Sequence, residues 1–393
     1  MADSLCSVHR VVFVSSTRAD WGLLSPLARV LRDGAPELEV SVVATNMHLL
    51  PEYGMTVDEI RHDGFEPLCA DMRVEGSDEA SRVRALARCT SAMADAFESL
   101  RPDIVVLLGD RYEILGVASA AALMNIPIVH IAGGEISEGA VDDSIRHAVT
   151  KLSTLHLTAT EAYRRRVIQL GEDPSRVINT GAIGVWNALH VARLSRSELE
   201  HDLGFSLSSG PVAVVTYHPA TLDSGESPAA RVRELLAALD EFPELTSVIT
   251  YPNNDARSEE IIAEIQNYAA ARPRVLAVRS LGMRRYLSLL ACADLCAGNS
   301  SSGIVEVPSF HIPTVDIGMR QRGRIAAESV IHCGDSRKEI AGAIRYALSP
   351  EMKRRLPEIA NPYYKADTLD LQVRAVRDFA ASLPCEPKKF YDI

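Results

Sequence analysis

Two carboxylates in this chain follow apolar runs and a third lies close behind in sequence, where such groups can work as acids and bases. Asp110 follows DIVVLLG. Glu135 follows IPIVHIAGG, and Asp143 lies a little further on in the stretch GGEISEGAVDDSIRH at 133–147. A pair of carboxylates can take a proton from one side of a substrate and return one to the other. Arg146 and His147 close the same stretch. On a helix, the three- and four-residue spacings bring Asp143 to Arg146 or His147, and Asp142 to Arg146. A plainer reading competes. Acidic residues suit the start of a helix because they complement its dipole, which accounts for Asp142, Asp143 and Arg146 without any chemistry. It accounts less well for Glu135. Asp110 also has two readings: a cap for a helix starting near Tyr112, or a base at the edge of an apolar site.

Other polar residues gather at the ends of apolar runs, and each has a bland alternative. AGNSSSGIVEV (297–307) follows a strand and opens a helix. Its small residues and free amides suit a phosphate, with Ser300, Ser301 and Ser302 as hydroxyl donors; otherwise it is a helix cap with spare serines. Glu306, one turn further in, either accepts from a ribose or is simply exposed. GMRQRGR (318–324) offers Arg320, Arg322 and Arg324 to a diphosphate, or is a surface turn. In TYHP (216–219), His218 is either structural or faces a ligand. In STRADW (16–21), Arg18 and Asp20 pair with each other, or Arg18 reaches a ligand. Arg111 and Asn253 also stand at strand ends.

The elements that must hold these residues are legible as alternating strands and helices. Strands are expected at 9–16, 38–45, 103–110, 126–134 and 155–160, then at 212–218, 245–252, 275–280, 293–298 and 312–318. Helices are expected at about 22–32, 79–100, 112–125 and 141–152, with a helical stretch near 184–204. Short, continuously apolar strands separated by helices signal a parallel sheet covered on both faces. The fold class is therefore α/β, with two doubly wound Rossmann-like domains in tandem. The expected domains are 1–183, completed by a last helix in 368–393, and 184–367. Ligands bind at the carboxyl ends of such strands, and two such domains facing each other would make one cleft.

Composition narrows the function classes. The net charge is −11, so a nucleic-acid partner is not expected. The densest basic run, RRR at 164–166, reads as an exposed helix face. No apolar run approaches the ~18 residues of a membrane span. The opening MADSLCSVHRVVFV lacks the charged-then-apolar design of a signal segment, so the expected location is cytoplasmic. Seven cysteines at irregular spacings do not read as a disulfide framework. Cys292 and Cys296 read as core residues rather than metal ligands. HExxH, P-loop and GxSxG patterns are absent from the sequence.

Taken in order, STRADW, GDRYE, HIAGGEISEGAVDDSIRHAVTKLS, TYHPAT, YPNNDA, GNSSSGIVEVPSF and IGMRQRGR resemble the hydrolysing UDP-N-acetylglucosamine 2-epimerases of sialic-acid-type sugar synthesis. The resemblance covers nearly the whole chain. It implies a glycosyltransferase-B-type fold with a C-terminal helix returning to the first domain, and a homo-oligomer. It implies conversion of UDP-GlcNAc to ManNAc and UDP, through 2-acetamidoglucal, with no cofactor and no metal. On the matching positions, Asp110 and Glu135 are the expected acid–base residues, Asp143 assists, and His218 contacts the sugar–diphosphate region. Arg18, Ser301, Ser302 and Arg320 are expected on phosphate or sugar groups, Glu306 on the ribose and Asn253 on the nucleotide side. Asp20, Arg111, Arg146, His147, Ser300 and Arg324 complete the expected binding set. Two departures shift attention to the sugar. SSTRAD lacks the glycine usual before TRAD, and EVPSFHIPT replaces a glycine-containing version. Both resemble a sister branch acting on nucleotide-linked 2,4-diacetamido-2,4,6-trideoxyhexoses of the legionaminic acid route. A glycosyltransferase of the same fold is a less favoured reading, and a silent nucleotide-sugar binder less favoured still.

Overall fold

The computed structural model describes residues 8–393 apart from 77, 208, 221–226, 254 and 256. The first seven residues, Thr221 of TYHPAT and two positions of YPNNDA thus lie outside the described residues. The chain divides into two compact units. The first runs to Glu135 and resumes over Asp142–Ile183 and Lys365–Ile393. The second comprises Ile136–Val141 and Gly184–Tyr364.

The first unit holds a seven-stranded sheet: β1 (His9–Ser15), β2 (Leu38–Thr45), β3 (Leu68–Ala70), β4 (Ile104–Leu108), β5 (Ile128–Ile131), β6 (Leu155–Thr158) and β7 (Val177–Asn179). Their spatial order is β3-β2-β1-β4-β5-β6-β7, and the neighbours run parallel. Parallel neighbours need a crossover, and helices provide it. Residues Val11 to Val14 and Ile104 to Leu107 are almost wholly buried, as strands covered on both faces must be.

The second unit repeats the plan with β8 (Val212–Thr216), β9 (Thr246–Thr250), β10 (Val275–Val278), β11 (Leu295–Gly298), β12 (Thr314–Ile317) and β13 (Val330–Cys333), in the order β10-β9-β8-β11-β12-β13. In each sheet the winding reverses beside its first strand, between β1 and β4 and between β8 and β11. A reversal of this kind leaves a crevice at the carboxyl ends of the two strands.

The structure differs from the sequence expectations at several places. The first helix spans Arg18–Gly34, because Thr17 caps it by accepting from the Asp20 amide. Arg18 and Asp20 therefore lie in its first turn rather than in a loop. The stretch 184–204 is two helices, Ile183–His190 and Arg196–Leu203, and Ser195 and Glu198 form a capping box at the start of the second. The arginine run is not one exposed face. Arg164 donates to Val177 O and Pro174 O, and Arg166 to Gly134 O. Cys296 is buried in β11 and Cys292 half-buried, both as free thiols. The final helix, Thr368–Ala381, belongs to the first unit; Gln372 donates to Thr180 and Arg377 pairs with Glu37. No helix of the described residues is long and apolar enough to cross a membrane.

Candidate active site

In the first unit the polar strand ends converge on one buried arginine. Gly109 turns the chain with φ +74 after β4, and Asp110 follows. Asp110 does not cap the next helix. Arg111 holds the cap position, without a side-chain cap bond. Asp110 instead makes an ion pair with Arg146 Nη2. Arg146 Nη1 donates to Glu135 O at 2.8 Å and lies 3.5 Å from Asp143 Oδ1. At 1% exposure Arg146 is among the largest fully buried side chains. One guanidinium thus joins the ends of β4 and β5, which are hydrogen-bonded neighbours, to the helix Asp142–Leu152. The short-range pairing expected for Asp143 and Arg146 is present. The long-range ties to Asp110 and Glu135 go beyond anything local spacing can give. Glu135 itself is 6% exposed. His147 Nε2 is 3.6 Å from Asp143 Oδ2, and burial lowers its pKa against the pull of Asp143.

A buried histidine supports this corner. His130 Nε2 lies 2.8 Å from Gly109 O and its Nδ1 3.3 Å from Thr150 Oγ1. Since a carbonyl only accepts, Nε2 carries the proton. Burial pushes the pKa of His130 down to about 3, so it is neutral at neutral pH.

Beside the β1–β4 crevice lies a second polar group. Arg111 Nε and Asn46 Nδ2 each donate to Glu113 Oε1 at 2.7 Å. Burial raises the Glu113 carboxyl, but Arg111 and hydrogen bonds from its neighbours outweigh it and hold it below the usual range. Ser16 donates to Asp20 at 2.6 Å; burial raises the Asp20 carboxyl against the opposing pull of Arg111. Arg18 pairs with Glu59, not with Asp20. Ser16 is one of the polar residues expected at the end of the first strand, whereas Glu113 and Asn46 lie outside the expected site residues. Glu113 stands in the quoted GDRYE motif, and Asn46 directly follows β2, so the strand-end rule had signals for both.

In the second unit the corresponding crevice is built mostly from amides and hydroxyls. The His218 amide donates to Asn299 Oδ1 at 2.7 Å, and Asn299 Nδ2 donates to His218 O at 2.8 Å. This reciprocal pair joins the ends of β8 and β11. The Asn253 amide lies 3.4 Å from His218 Nδ1, and Asp255 Oδ2 lies 3.9 Å from it. Gly298 allows the close approach. A Cβ there would stand 1.9 Å from Thr216 O.

The helix expected after Gly298 is only the turn Ser302–Val305, followed by a 3-10 turn, Val307–Phe310. A helix dipole needs several aligned peptides, so the phosphate expectation rests here on hydroxyls and amides more than on a dipole. Ser301 holds the N-cap position without a side-chain cap bond. Ser302 Oγ accepts from Tyr286 OH at 2.8 Å, and Ser300 Oγ is 3.4 Å from the Ser302 amide. Glu306 ends the helical turn and packs at Gly184. Arg320 Nη1 and Gln321 Nε2 both donate to Asn299 O, at 3.0 and 2.9 Å.

The remaining arginines of GMRQRGR serve another segment. Arg324 Nε donates to Ile136 O at 3.4 Å, and Arg322 Nε lies 3.4 Å from Glu138 Oε2. The Glu138 amide donates to Arg322 O at 3.1 Å. A Cβ on Gly139 would stand 2.7 Å from Met319 O. The structure therefore places Arg320 with the serine loop, and Arg324 on Ile136–Val141. Among the described residues no group of three or more His, Cys, Asp or Glu side chains is arranged to hold a metal ion.

Comparison with known proteins gives this geometry a context. The family model described as UDP-N-acetylglucosamine 2-epimerase matches residues 32–377. The polysialic acid biosynthesis protein P7 of Escherichia coli is 35% identical over 387 residues, 98% of each chain. The hydrolyzing GDP/UDP-N,N'-diacetylbacillosamine 2-epimerase of Campylobacter jejuni is 38% identical over 326 residues, covering 83% of this chain and 84% of that protein. Among solved structures, the UDP-GlcNAc 2-epimerase of Neisseria meningitidis bound to UDP-GlcNAc superposes with a TM-score of 0.79 at 18% identity. The match covers 94% of this chain and all of that one. At that identity the likeness speaks for the fold, a glycosyltransferase-B-like pair of Rossmann-type units.

Proposed function

Because the chain belongs to the UDP-N-acetylglucosamine 2-epimerase family, we propose that it is a hydrolysing 2-epimerase converting UDP-GlcNAc and water to ManNAc and UDP. One observation carries this reading: Arg146 gathers Asp110, Asp143 and the Glu135 backbone at the ends of β4 and β5. The reaction starts when a carboxylate removes the C2 proton as UDP departs from C1, leaving 2-acetamidoglucal. Water then adds at C1, and a second group returns a proton to the opposite face of C2. Two proton-transfer groups are needed, and Asp110 and Glu135 are assigned to them, with Asp143 assisting. The departing diphosphate needs donors that are already in place. Ser300, Ser301, Ser302 and Arg320 are assigned to it, with His218 on the sugar–diphosphate region, Glu306 on the ribose and Asn253 on the nucleotide side. Arg18, Asp20, Arg111 and His147 complete the set around the sugar. Assembly into a homo-oligomer is part of the same reading, and light scattering on the purified protein checks it.

The test is turnover of UDP-GlcNAc in heavy water. Free ManNAc carrying deuterium at C2 is the expected product. Sugar released without deuterium at C2 overturns the elimination route. Transfer to an acceptor without exchange at C2 would make the protein a glycosyltransferase.

A second reading keeps the reaction and changes the sugar. It is favoured by the 38% identity to the Campylobacter jejuni enzyme, whose name specifies N,N'-diacetylbacillosamine. Assaying UDP-GlcNAc beside UDP-linked 2,4-diacetamido-2,4,6-trideoxyglucose decides between them, and the larger kcat/KM names the substrate.

A further inference from the structure

The sequence reads as a polar tail after the last helix, yet that tail is tied into the first unit. Lys388 Nζ donates to Lys151 O and Ser153 O, both at 2.7 Å, and lies 3.4 Å from Thr150 O. These carbonyls stand at and just beyond the end of the helix Asp142–Leu152. The last carbonyls of a helix have no intrahelical donor, and a cation there also complements the dipole. The Lys388 ammonium thus acts as a C-terminal cap brought from more than two hundred residues away in sequence.

A buried carboxylate fixes the ammonium in place. Glu172, 2% exposed, meets Lys388 at 2.7 Å through Oε2, and Lys151 at 2.7 Å through Oε1. His156 Nε2 lies 3.0 Å from the same Oε2. The next tail residues lie against this group, although Phe390 itself stays largely exposed. Lys151 Nζ stands 4.9 Å from the centre of the Phe390 ring, and the Tyr391 amide donates to Gly171 O at 3.0 Å. The Phe390 ring occupies the space a side chain on Gly171 would need, with the nearest ring atom 2.4 Å from its Cβ position.

The other end of this helix carries Asp143 and Arg146. From Arg146 to Lys151 a straight helix rises only about 7 Å, so a shift at the capped end is felt at the guanidinium. We propose that the tail segment Lys388–Tyr391 is a strap that positions the helix Asp142–Leu152, and through it Arg146, for turnover. Lys388 and Phe390 are positioning residues and touch no substrate. The effect on turnover rests on the acid–base role assigned to the Arg146 group; the effect on the helix does not.

Three full-length variants test it: Lys388→Met, which keeps the stem and loses the charge; Phe390→Ala; and Lys388→Arg, which keeps N–H donors. In Lys388→Met the expected loss of kcat is roughly tenfold, since small misplacements of catalytic groups are costly. KM and UDP affinity stay within about twofold of the parent, the signature of an interaction that matters to the chemical step. Phe390→Ala shows a smaller loss of the same kind, and Lys388→Arg recovers most of the turnover. Hydrogen exchange needs no substrate, so it separates the strap from the assigned reaction. Amides at 149–154 exchange about tenfold faster in Lys388→Met as the helix end opens locally, while those of β8 and β11 do not change. Unchanged exchange at 149–154 overturns the strap. So does a kcat loss matched by an equal loss of UDP affinity and of protection throughout the chain, which marks general destabilisation. If the parent protein turns over no nucleotide sugar, the assigned reaction fails and the exchange result still decides the strap.

Discussion

The two units wind their sheets in the same order and open a crevice at the same place, yet they fill it differently. Beside β1 and β4 stand Asp110, Arg111, Glu113, Asp20 and Arg146, most of them ion-paired or hydrogen-bonded to one another. Beside β8 and β11 stand Asn299, three serines and the backbone of His218; neutral hydrogen bonds join Asn299 to His218, and Arg320 donates to Asn299 O. A set of charged groups held by counter-ions suits proton movement, whereas fixed amides and hydroxyls suit the holding of an anion. The scaffold is common to both units. The two units differ in the residues that follow the strands.

The sharpest way to break this division is to neutralise the carboxylates. Asp110→Asn and Glu135→Gln are each expected to cut kcat by about 10²–10⁴, while UDP affinity stays within about twofold of the parent. Product release measured beside calorimetric UDP titration gives both quantities. Near-normal turnover in either variant removes that residue from its role. A matching loss of UDP affinity would mean that these carboxylates also hold the nucleotide.

The converse change belongs to the second unit. Gly298→Ala puts a Cβ 1.9 Å from Thr216 O, a contact no side-chain rotation can relieve. The glycine also has φ +133, a conformation closed to alanine without strain. A destabilisation of about 3 kcal/mol or more is expected. It should appear as faster amide exchange in β8 and β11, with β4 less affected, together with weakened UDP binding. Equal loosening of β4 and β8 would mean that the two units do not respond separately.

What was legible in the sequence follows the same physics. The central strands are continuous apolar runs because helices cover both faces, and β2 was bounded correctly at Leu38–Thr45. The strands overlooked were β3, β7 and β13, which lie at sheet edges. They are only partly buried there, so they lack the continuous apolar run of the central strands. The first helix starts earlier than the 22–32 expected, because Thr17 caps it by accepting from the Asp20 amide. At the site, strand-end position singled out Asp110, Glu135 and His218, and the structure places each at or just after a strand end. Strand-end position gave no sign that Arg146 would reach Asp110, because that contact depends on the packing of a helix against two strands. The hold of Lys388 on the helix end was hidden for the same reason.

Acid should separate the units more gently. Burial lowers His48 to about 4 and His130 to about 3, both in the first unit. The unfolded chain, with histidine near 6.5, binds those protons first as pH falls. Stability is therefore lost below about pH 6.5, by about 1.4 kcal/mol per pH unit for each histidine, until the folded values are reached. In the second unit, His332 has its pKa raised by its hydrogen bond to Asp316, 2.8 Å away. Its contribution has the opposite sign: it is present below the unfolded value and lost as pH rises through the folded one. Hydrogen exchange at pH 7.5 and 5.5 should show β1, β4 and β5 losing protection before β11 and β12. His48→Gln should reduce the slope. The reverse order would contradict the assignment of neutral buried histidines to the first unit.

The smallest effect tests whether the serine loop of the second unit holds the diphosphate of UDP, as proposed. Ser301 occupies a cap position but makes no side-chain cap bond, so removing its hydroxyl should cost little folding stability. The helix it precedes is a single turn, and its dipole is correspondingly weak. If the hydroxyl contacts the diphosphate directly, Ser301→Ala should raise the Kd for UDP about fivefold, equivalent to about 1 kcal/mol, with Tm unchanged. Ser302→Ala differs because Ser302 also accepts from the half-buried Tyr286 OH. That change leaves the phenol without its acceptor, so Tm should fall along with affinity. Calorimetry and thermal melting on the two variants thus separate a hydroxyl kept for the ligand from one shared with the core. Unaltered UDP affinity in Ser301→Ala would remove the Ser301 hydroxyl from the proposed diphosphate contacts and leave backbone amides and Arg320 as the candidates, of which Arg320→Ala tests the second.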